Sequence, residues 1–265
     1  MTVRLLTAAV GVPVILALLF VVPAPGFYVL VLLAVLAGAW EAHAMGAPED
    51  RIGRLATVAA AGAISLAIYF GRDLLALLSA LAGSTVGIML VHLVKLGSVE
   101  TVARRIVFSL GGALYVGLLL TFVGLLHRPP LGTPWVLLAL TVTWLGDTGA
   151  YAAGRIFGRH KLYEAVSPKK TWEGAIGGLG ASVGSALVAH AWYLPELTVT
   201  DAIFIAVPAS ALGLLGDLSE SLLKRSVGIK DSGKILPGHG GMLDRVDALM
   251  FVAPWVYLYA AWRGY

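Results

Sequence analysis

Four polar side chains recur at helical spacing in the last quarter of the chain. Asp217, Glu220, Ser221 and Lys224 stand at i, i+3, i+4 and i+7, so on a helix they form one stripe of two acids, a hydroxyl and a cation. A stripe of this kind can line a site, with Glu220 as an additional candidate residue. The alternative is an amphipathic helix end in which Glu220 only pairs with Lys224.

Asp244 and Asp247 form a second acidic pair, with i, i+3 spacing, where the last apolar segment begins. Taken alone, this pair is explained equally well by helix capping, because the helix dipole favours acids in the first turn. With Asp217 at a similar depth, three hard oxygen ligands converge, which is typical of Mg²⁺ held partly by protein and partly by substrate phosphates. We therefore predict a Mg²⁺ site at Asp217, Asp244 and Asp247.

Asp147 shares the depth and the side of Asp217. Each lies about two helical turns inside an apolar segment, roughly 10 Å below its basic end. A lone carboxylate there costs at least a few kcal/mol and normally faces a polar cavity, a metal or a cation, so Asp147 is a possible additional site residue. A structural role is also open, since the hydroxyls of Thr143, Thr148 and Tyr151 could satisfy it.

Cations and glycines lie between these acidic groups. Lys230 and Lys234 precede a Pro-Gly-His-Gly-Gly turn at 237–241, whose glycines let backbone N–H groups approach an anion closely. Phosphate is the natural ligand, although a flexible turn with solvated lysines is the simpler alternative. We expect His239 to contact phosphate or to serve the structure rather than to carry protons.

Lys169 and Lys170 form the other basic element, in the Ser-Pro-Lys-Lys-Thr stretch at 167–171. Two adjacent cations beside a proline-fixed turn suit a triphosphate or anionic lipid headgroups. Anchoring at the cytoplasmic membrane surface explains them nearly as well. They are therefore second-tier candidates for substrate binding.

The composition decides which elements must position these residues. Of the 265 residues, 58% are hydrophobic and 13% are charged, whereas soluble domains carry charge on about 25% of their residues. The chain is therefore predicted to be an all-α, polytopic integral membrane protein. The absence of cysteine excludes a disulfide framework, thiolate metal sites and a cysteine nucleophile.

An apolar run needs about 20 residues to cross the bilayer as a helix. About nine such runs can be placed, and the first is read as a retained helix rather than a signal peptide because Val22–Gly26 is a poor cleavage site. The Gly-Arg-Asp stretch at 71–73 is read as a turn between the third and the fourth run. The predicted spans are 5–22, 27–46, 55–71, 74–94, 106–126, 134–154, 174–194, 202–223 and 246–262.

The basic residues support this count. Nine crossings place 15 of the 19 Lys and Arg residues on the side of the even-numbered loops and leave four on the other. The positive-inside rule then makes the even loops cytoplasmic and puts both termini outside. The net charge of +4 is explained by this arrangement, and we expect the lipid bilayer rather than nucleic acid as partner.

Two cytoplasmic connections are long and dense in charge, and the chemistry is expected there. We predict a region of N-terminal helices, residues 1–130, for scaffolding and lipid access. The predicted catalytic region, residues 131–265, carries the cytoplasmic loops 155–173 and 224–245. The stretch 217–247 alone holds ten of the chain's charged side chains.

A known signature runs through that stretch. It comprises Ser-Leu-Leu-Lys-Arg at 221–225, Lys-Asp-Ser-Gly at 230–233, Leu-Pro-Gly-His-Gly-Gly at 236–241 and Asp-Arg-Val-Asp at 244–247. These 27 residues closely resemble the signature of the phosphatidate cytidylyltransferases, also called CDP-diacylglycerol synthases. Gly-Asp-Thr-Gly-Ala-Tyr at 146–151 and Ser-Pro-Lys-Lys-Thr-Trp-Glu-Gly at 167–174 also resemble family motifs, whereas the first 130 residues match only as hydrophobic helices.

The resemblance implies an enzyme of phospholipid biosynthesis in the cell (inner) membrane, with its active site on the cytoplasmic side. It would join CTP and phosphatidic acid with Mg²⁺ to give CDP-diacylglycerol and pyrophosphate. The family also implies a homodimer and a second, monovalent cation. On this basis we assign catalytic roles to Ser221, Lys224, Arg225 and Asp247, and substrate binding to Lys169, Lys170, Lys230, Lys234, His239 and Arg245.

Two rival functions stay open at this point. A membrane lipid kinase or another nucleotidyltransferase shares the metal, phosphate and bilayer requirements. A polytopic ion or substrate transporter also places acids inside the membrane, but such acids normally lie at the midplane, whereas here they lie at the cytoplasmic ends.

Overall fold

The apolar runs fold as helices in the computed structural model, which describes residues 2–71, 73–95, 97–233, 235 and 240–265. These residues form ten helices and one pair of strands, in chain order. The elements are α1 Thr2–Val21, α2 Ala24–Gly46, α3 Arg51–Phe70, α4 Leu74–Val94, α5 Val99–Leu119, α6 Thr121–Leu126, α7 Thr133–Phe157, β1 Lys161–Tyr163, β2 Ser167–Thr171, α8 Trp172–Trp192, α9 Val199–Ser226 and α10 Leu243–Arg263.

Seven helical stretches among the described residues are long and apolar enough to cross a membrane. They are α2, α3, α4, α7, α8, α9 and the stretch Val99–Leu126, which joins α5 and α6. The helical membrane character predicted from composition is thus confirmed. The first and the last predicted segments form α1 and α10, which are not among the seven.

Side-chain caps set several helix starts. Asp50 accepts a hydrogen bond from the N–H of Gly53 at the start of α3, and Asp73 accepts one from Ala76 at the start of α4. Helix α3 ends at Phe70 and α4 begins at Leu74, so the third and fourth predicted runs form separate helices. Arg72 itself lies outside the described residues.

The structure adds one short non-helical element to the predicted all-α architecture. Strands β1 and β2 form an antiparallel pair within the stretch predicted as the loop 155–173. Lys161 pairs with Thr171 and Tyr163 with Ser167. The sequence gives little sign of these strands, because Ser-Pro-Lys-Lys-Thr shows no alternation of apolar and polar residues.

The chain divides into two compact units. The first comprises residues 1–125 and 227–246, and the second comprises residues 126–226 and 247–265. Most of the signature loop, the connection between α9 and α10, therefore packs with the N-terminal helices. The functional division into 1–130 and 131–265 stays a prediction.

The first unit contains a polar cluster at the connection between α2 and α3. One carboxylate oxygen of Asp50 lies 3.0 Å from Nε2 of His92 and 3.8 Å from both Nε2 of His43 and Nη1 of Arg105. Burial raises the pKa of the Asp50 carboxyl, but hydrogen bonds from Gly53 and His92 outweigh it and leave the pKa below its usual range. Asp50 therefore stabilises the fold in its ionised form.

The second unit is built around the contact between α7 and α8, where small residues let the backbones approach. A Cβ at Gly149 would lie 2.8 Å from the carbonyl oxygen of Gly177. On the same helices, the hydroxyl of Ser182 donates to the carbonyl of Val142 over 3.0 Å. This packing fixes the part of α7 that carries Asp147.

Candidate active site

Three carboxylates from three helices lie together in the second unit. Asp147 is on α7, Asp217 on α9 and Asp247 on α10, and each is close enough to another for their charges to interact. Two cations share this electrostatic neighbourhood, Lys170 beside Asp147 and Lys224 beside Asp247. The shared depth predicted for Asp147 and Asp217 thus corresponds to an actual cluster.

A close approach of two helices places Asp217 beside Asp247. A Cβ at Gly216 would lie 2.6 Å from the carbonyl oxygen of Asp247 and 2.9 Å from the ring of Phe251. Only glycine therefore lets α9 come this near to α10 without a shift of either backbone. The residue next to Asp217 in the sequence sets the geometry of the acidic cluster.

The strand pair delivers a cation to the cluster. Nζ of Lys170, in β2, lies 2.8 Å from Oδ2 of Asp217. Thr171 ends the strand and caps α8 by accepting a hydrogen bond from Gly174, and Lys161 Nζ donates to the carbonyl of Pro168 across the turn. Lys170 is thus held by a structured connection, whereas Lys169 is exposed.

The predicted stripe on α9 is present, with its members in unequal roles. Ser221 Oγ donates to Oδ1 of Asp217 over 3.2 Å, so this hydroxyl orients a carboxylate. Glu220 is fully buried and lies 3.1 Å from Nζ of Lys224. The pairing alternative is thus realised for these two residues, in the interior rather than at a solvated helix end. Arg225 is exposed.

The hydroxyls that could have satisfied Asp147 are engaged elsewhere. Thr143 and Thr148 each donate to the carbonyl one turn back in α7, and the Tyr151 hydroxyl accepts from Arg155. Among the described residues, no hydrogen bond or ion pair engages the Asp147 carboxylate. The structural explanation of Asp147 through these hydroxyls is therefore not realised.

A small cavity opens beside the cluster. Asp147 and Lys170 supply its charged lining, and Ser182 and Ser210 add hydroxyls. The rest of its wall is small or apolar. This part consists of Val142, Thr143, Gly146, Ala209, Gly213, Leu214 and Val252.

In the first unit, Asp244 organises the loop that precedes α10. Its Oδ2 accepts hydrogen bonds from the backbone N–H of Ser232 at 2.9 Å, from the Ser232 hydroxyl at 2.9 Å and from the N–H of Gly241 at 2.8 Å. The N–H of Gly241 thus serves a carboxylate here rather than an anion from outside. Lys230 and Arg245 are exposed, and the predicted phosphate contacts Lys234 and His239 lie outside the described residues.

The donor set of the acidic cluster fits Mg²⁺. Asp147, Asp217 and Asp247 offer hard oxygen ligands, and the repulsion among their charges is relieved by a cation. No group of three or more His, Asp or Glu side chains in the described part of the chain is arranged to hold a metal ion by itself. A Mg²⁺ site at Asp217, Asp244 and Asp247 stays a prediction.

Sequence reasoning missed one buried carboxylate. Glu41 of α2 is 2% exposed and contacts the loop that contains Asp244. It lies in a predicted membrane segment, so the cost argument applied to Asp217 would have identified it. Its partners could not be inferred, because they lie about 200 positions further along the chain.

Comparison with known proteins shows which family the chain resembles. The pattern that defines the cytidylyltransferase family matches residues 2–262. A phosphatidate cytidylyltransferase of Staphylococcus saprophyticus is 46% identical over 147 residues, which is 56% of either chain. A protein of the same name from Staphylococcus haemolyticus is 49% identical over 123 residues, which is 46% of this chain and 47% of the relative. Another, from Staphylococcus aureus, is 44% identical over 147 residues, which is 56% of either chain.

The chain spans about half the length of these curated relatives in the alignments. The family pattern, in contrast, extends from α1 to the end of α10 and so includes both compact units. The chain belongs to the cytidylyltransferase family.

Proposed function

We propose that this protein transfers the cytidylyl group of CTP to phosphatidic acid, giving CDP-diacylglycerol and pyrophosphate. The cluster of Asp147, Asp217 and Asp247 with Lys170 and Lys224, in a chain whose described residues include seven helical stretches that suit a membrane, is the observation that carries the proposal. The names of the relatives support this choice of substrates. An acylated acceptor needs a site within reach of the bilayer, and a nucleotide needs one within reach of water.

The chemistry is an in-line displacement. A phosphate oxygen of phosphatidate attacks the α-phosphorus of CTP, the bond from this phosphorus to the bridging oxygen of the β-phosphate breaks, and pyrophosphate leaves. The nucleophile is already largely ionised near neutral pH, so the protein needs no strong general base. Catalysis then rests on positioning and on charge neutralisation.

Asp217 and Asp247 would hold Mg²⁺, with Asp244 and Asp147 as further candidate ligands. When bound, the ion supplies neutralisation of the charge that develops on the phosphates. Ser221 keeps the Asp217 carboxylate oriented, and Lys170 supplies positive charge beside it. A second, monovalent cation belongs to the same proposal.

The remaining basic residues would contact phosphates of either substrate, since charge-assisted hydrogen bonds are the strong ones. We assign this role to residues of both cytoplasmic connections. They are Lys169, Lys170, Lys224, Arg225, Lys230, Lys234, His239 and Arg245.

The proposed arrangement in the membrane has nine crossings, with both termini outside and the strand pair and signature loop in the cytoplasm. The uneven distribution of Lys and Arg supports it. Homodimer formation in the cell membrane is part of the same proposal.

Two positions of radioactive label in CTP test the reaction. Purified protein in detergent receives Mg²⁺, phosphatidic acid and CTP labelled at the α- or the γ-phosphate. We expect α-label in the lipid product and γ-label in pyrophosphate. Transfer of γ-label to lipid would identify a lipid kinase, and absence of lipid labelling with either CTP would refute the proposal and direct attention to transport.

A further inference from the structure

The signature loop between α9 and α10 is held by two carboxylates of different origin. Asp244 comes from the first turn of α10, directly after the loop, whereas Glu41 comes from α2 and is buried. Oε2 of Glu41 accepts a hydrogen bond from the backbone N–H of Leu243 at 2.9 Å and lies 3.3 Å from the hydroxyl of Ser232. Glu41 thus links Ser232, within the loop, and Leu243, where α10 begins, to the N-terminal helices.

Ser232 stands between the two acids. Its hydroxyl lies 2.9 Å from Oδ2 of Asp244 and 3.3 Å from Oε2 of Glu41, and its single hydrogen can be donated to only one of them at a time. The backbone N–H of Ser232 also donates to Asp244. The three residues therefore form one connected unit, in which movement of either carboxylate disturbs the other.

Two glycines let the loop close on Glu41. A Cβ at Gly233 would overlap Oε1 of Glu41, and a Cβ at Gly241 would overlap Oε2 and the Ser232 hydroxyl. A side chain at either position would displace the loop or the Glu41 carboxylate and so break their contact. The glycines of the signature thus have a packing reason that is separate from contact with a phosphate.

A buried carboxylate is costly in this position. Oε1 of Glu41 has no hydrogen-bond partner among the described residues, and desolvation of such a group costs several kcal/mol. An apolar side chain would pack in α2 at lower cost. Only a side chain with an acceptor atom, however, can bind the N–H of Leu243, the residue at which α10 begins.

We propose that Glu41 is the positioning residue of the signature loop. By accepting from Leu243 and Ser232, it fixes the described parts of the loop backbone, residues 231–233 and 240–243, and with them Asp244, in the conformation that receives the nucleotide phosphates. The second half of this statement rests on the proposed function. The first half concerns the loop alone and can be tested without substrate.

Hydrogen–deuterium exchange of the full chain in detergent tests the anchoring. In Glu41→Ala the amides of 231–233 and 240–243 should exchange at least about tenfold faster, since an accepted hydrogen bond is lost. Glu41→Gln keeps an acceptor oxygen and should stay within about threefold of the wild type. Equal acceleration in both variants, or none in Glu41→Ala, would overturn the proposal.

Asp201→Asn provides a matched control. Asp201 is equally buried but accepts from Tyr259, Arg263 and Tyr265 at the other end of α10. This variant should lose stability while exchange in the signature loop stays unchanged. Acceleration of the loop in Asp201→Asn as well would mean that the loop reports general loosening, and the specific role of Glu41 would be refuted.

A double-mutant cycle tests the contact directly. Gly233→Ala should accelerate loop exchange because its methyl group meets Glu41, and this effect should largely disappear in the Glu41→Ala background, where the methyl group finds room. Additive effects would contradict the contact.

Kinetics separate this proposal from the proposed function. If the protein uses CTP, Glu41→Ala should raise the KM for CTP at least about tenfold and leave the KM for phosphatidate unchanged, with rescue by Glu41→Gln. A wild-type KM for CTP in a variant with a loosened loop would refute the positioning role. If the wild type does not use CTP although exchange responds as expected, the proposed function fails and the anchoring stands.

Discussion

Replacement of Lys170 by glutamine removes the positive charge that lies 2.8 Å from Asp217. A hydrogen bond between charged groups contributes about 1.5–3 kcal/mol. The side chains are 20% and 36% exposed, which lowers the net value to about 1–2 kcal/mol. This free energy corresponds to a factor of about 5–30 in an equilibrium constant.

The substitution should change the affinities for metal and for nucleotide in opposite directions. Without Lys170, the Asp217 carboxylate loses the neighbouring positive charge that offsets its own. A divalent cation should therefore bind about 5–30 times more tightly in the absence of nucleotide. CTP should bind more weakly, because a phosphate contact is lost. Mn²⁺ can replace Mg²⁺ in this experiment, since free Mn²⁺ is measured directly by electron paramagnetic resonance.

Arg159→Gln is the matched control for Lys170→Gln. It removes the same charge from an exposed position just before β1 and should leave Mn²⁺ affinity unchanged. Unchanged or weaker Mn²⁺ binding in Lys170→Gln would refute the view that Lys170 and the metal compete for Asp217. An equal gain in Mn²⁺ affinity in both variants would mean that the effect comes from the net charge of the protein rather than from the contact with Asp217.

Three further substitutions test other parts of the account. Asp247→Asn should leave the protein folded and lower turnover by at least about 10²-fold, because the proposed metal ligand would lose its charge; near-normal turnover at equal expression would remove Asp247 from the site. Gly216→Ala should cost about 1–3 kcal/mol of stability and lower turnover, because its methyl group meets the Asp247 backbone, whereas Gly180→Ala, with open space around it, should do neither. Asp50→Asn should lower the thermal unfolding temperature at pH 7 by removing about 1 kcal/mol, because the asparagine still caps α3 but the contacts with His92 and Arg105 lose their negative charge. The lowered pKa of Asp50 means that its stabilisation is present above the ordinary value of 3.8 and is lost as the pH falls through the folded value, so the two proteins should converge in acid; a constant difference down to pH 2 would contradict this assignment.

The helices were predictable because the dominant signal is local. Runs of about 20 apolar residues can satisfy their backbone in lipid only as helices, and each predicted span overlaps a helix, with 106–126 divided between α5 and α6. The separation of α3 from α4 followed from two charged residues between such runs. The strand pair was not predictable, since its few residues are ordered by the contacts of Lys161 and Thr171 rather than by a periodic pattern.

Part of the site followed from depth and spacing. Asp147 and Asp217 were predicted at the same depth because each lies about two helical turns from the basic end of its segment. In the structure both are close enough to Asp247 for their charges to interact. The role of Ser221 was less accessible, because the same helical spacing that makes it available to a substrate also lets it donate to Asp217. Glu41 needed the tertiary fold, since only the fold shows that α2 meets the signature loop.

Release of pyrophosphate is the most direct test of the central claim. The purified chain in detergent is given Mg²⁺, CTP and phosphatidic acid, and each component is omitted in turn. The account predicts release that requires all three components, is accompanied by CDP-diacylglycerol and is abolished in Asp217→Asn. Release that persists without phosphatidic acid, or no release from a folded sample with all components present, would contradict it.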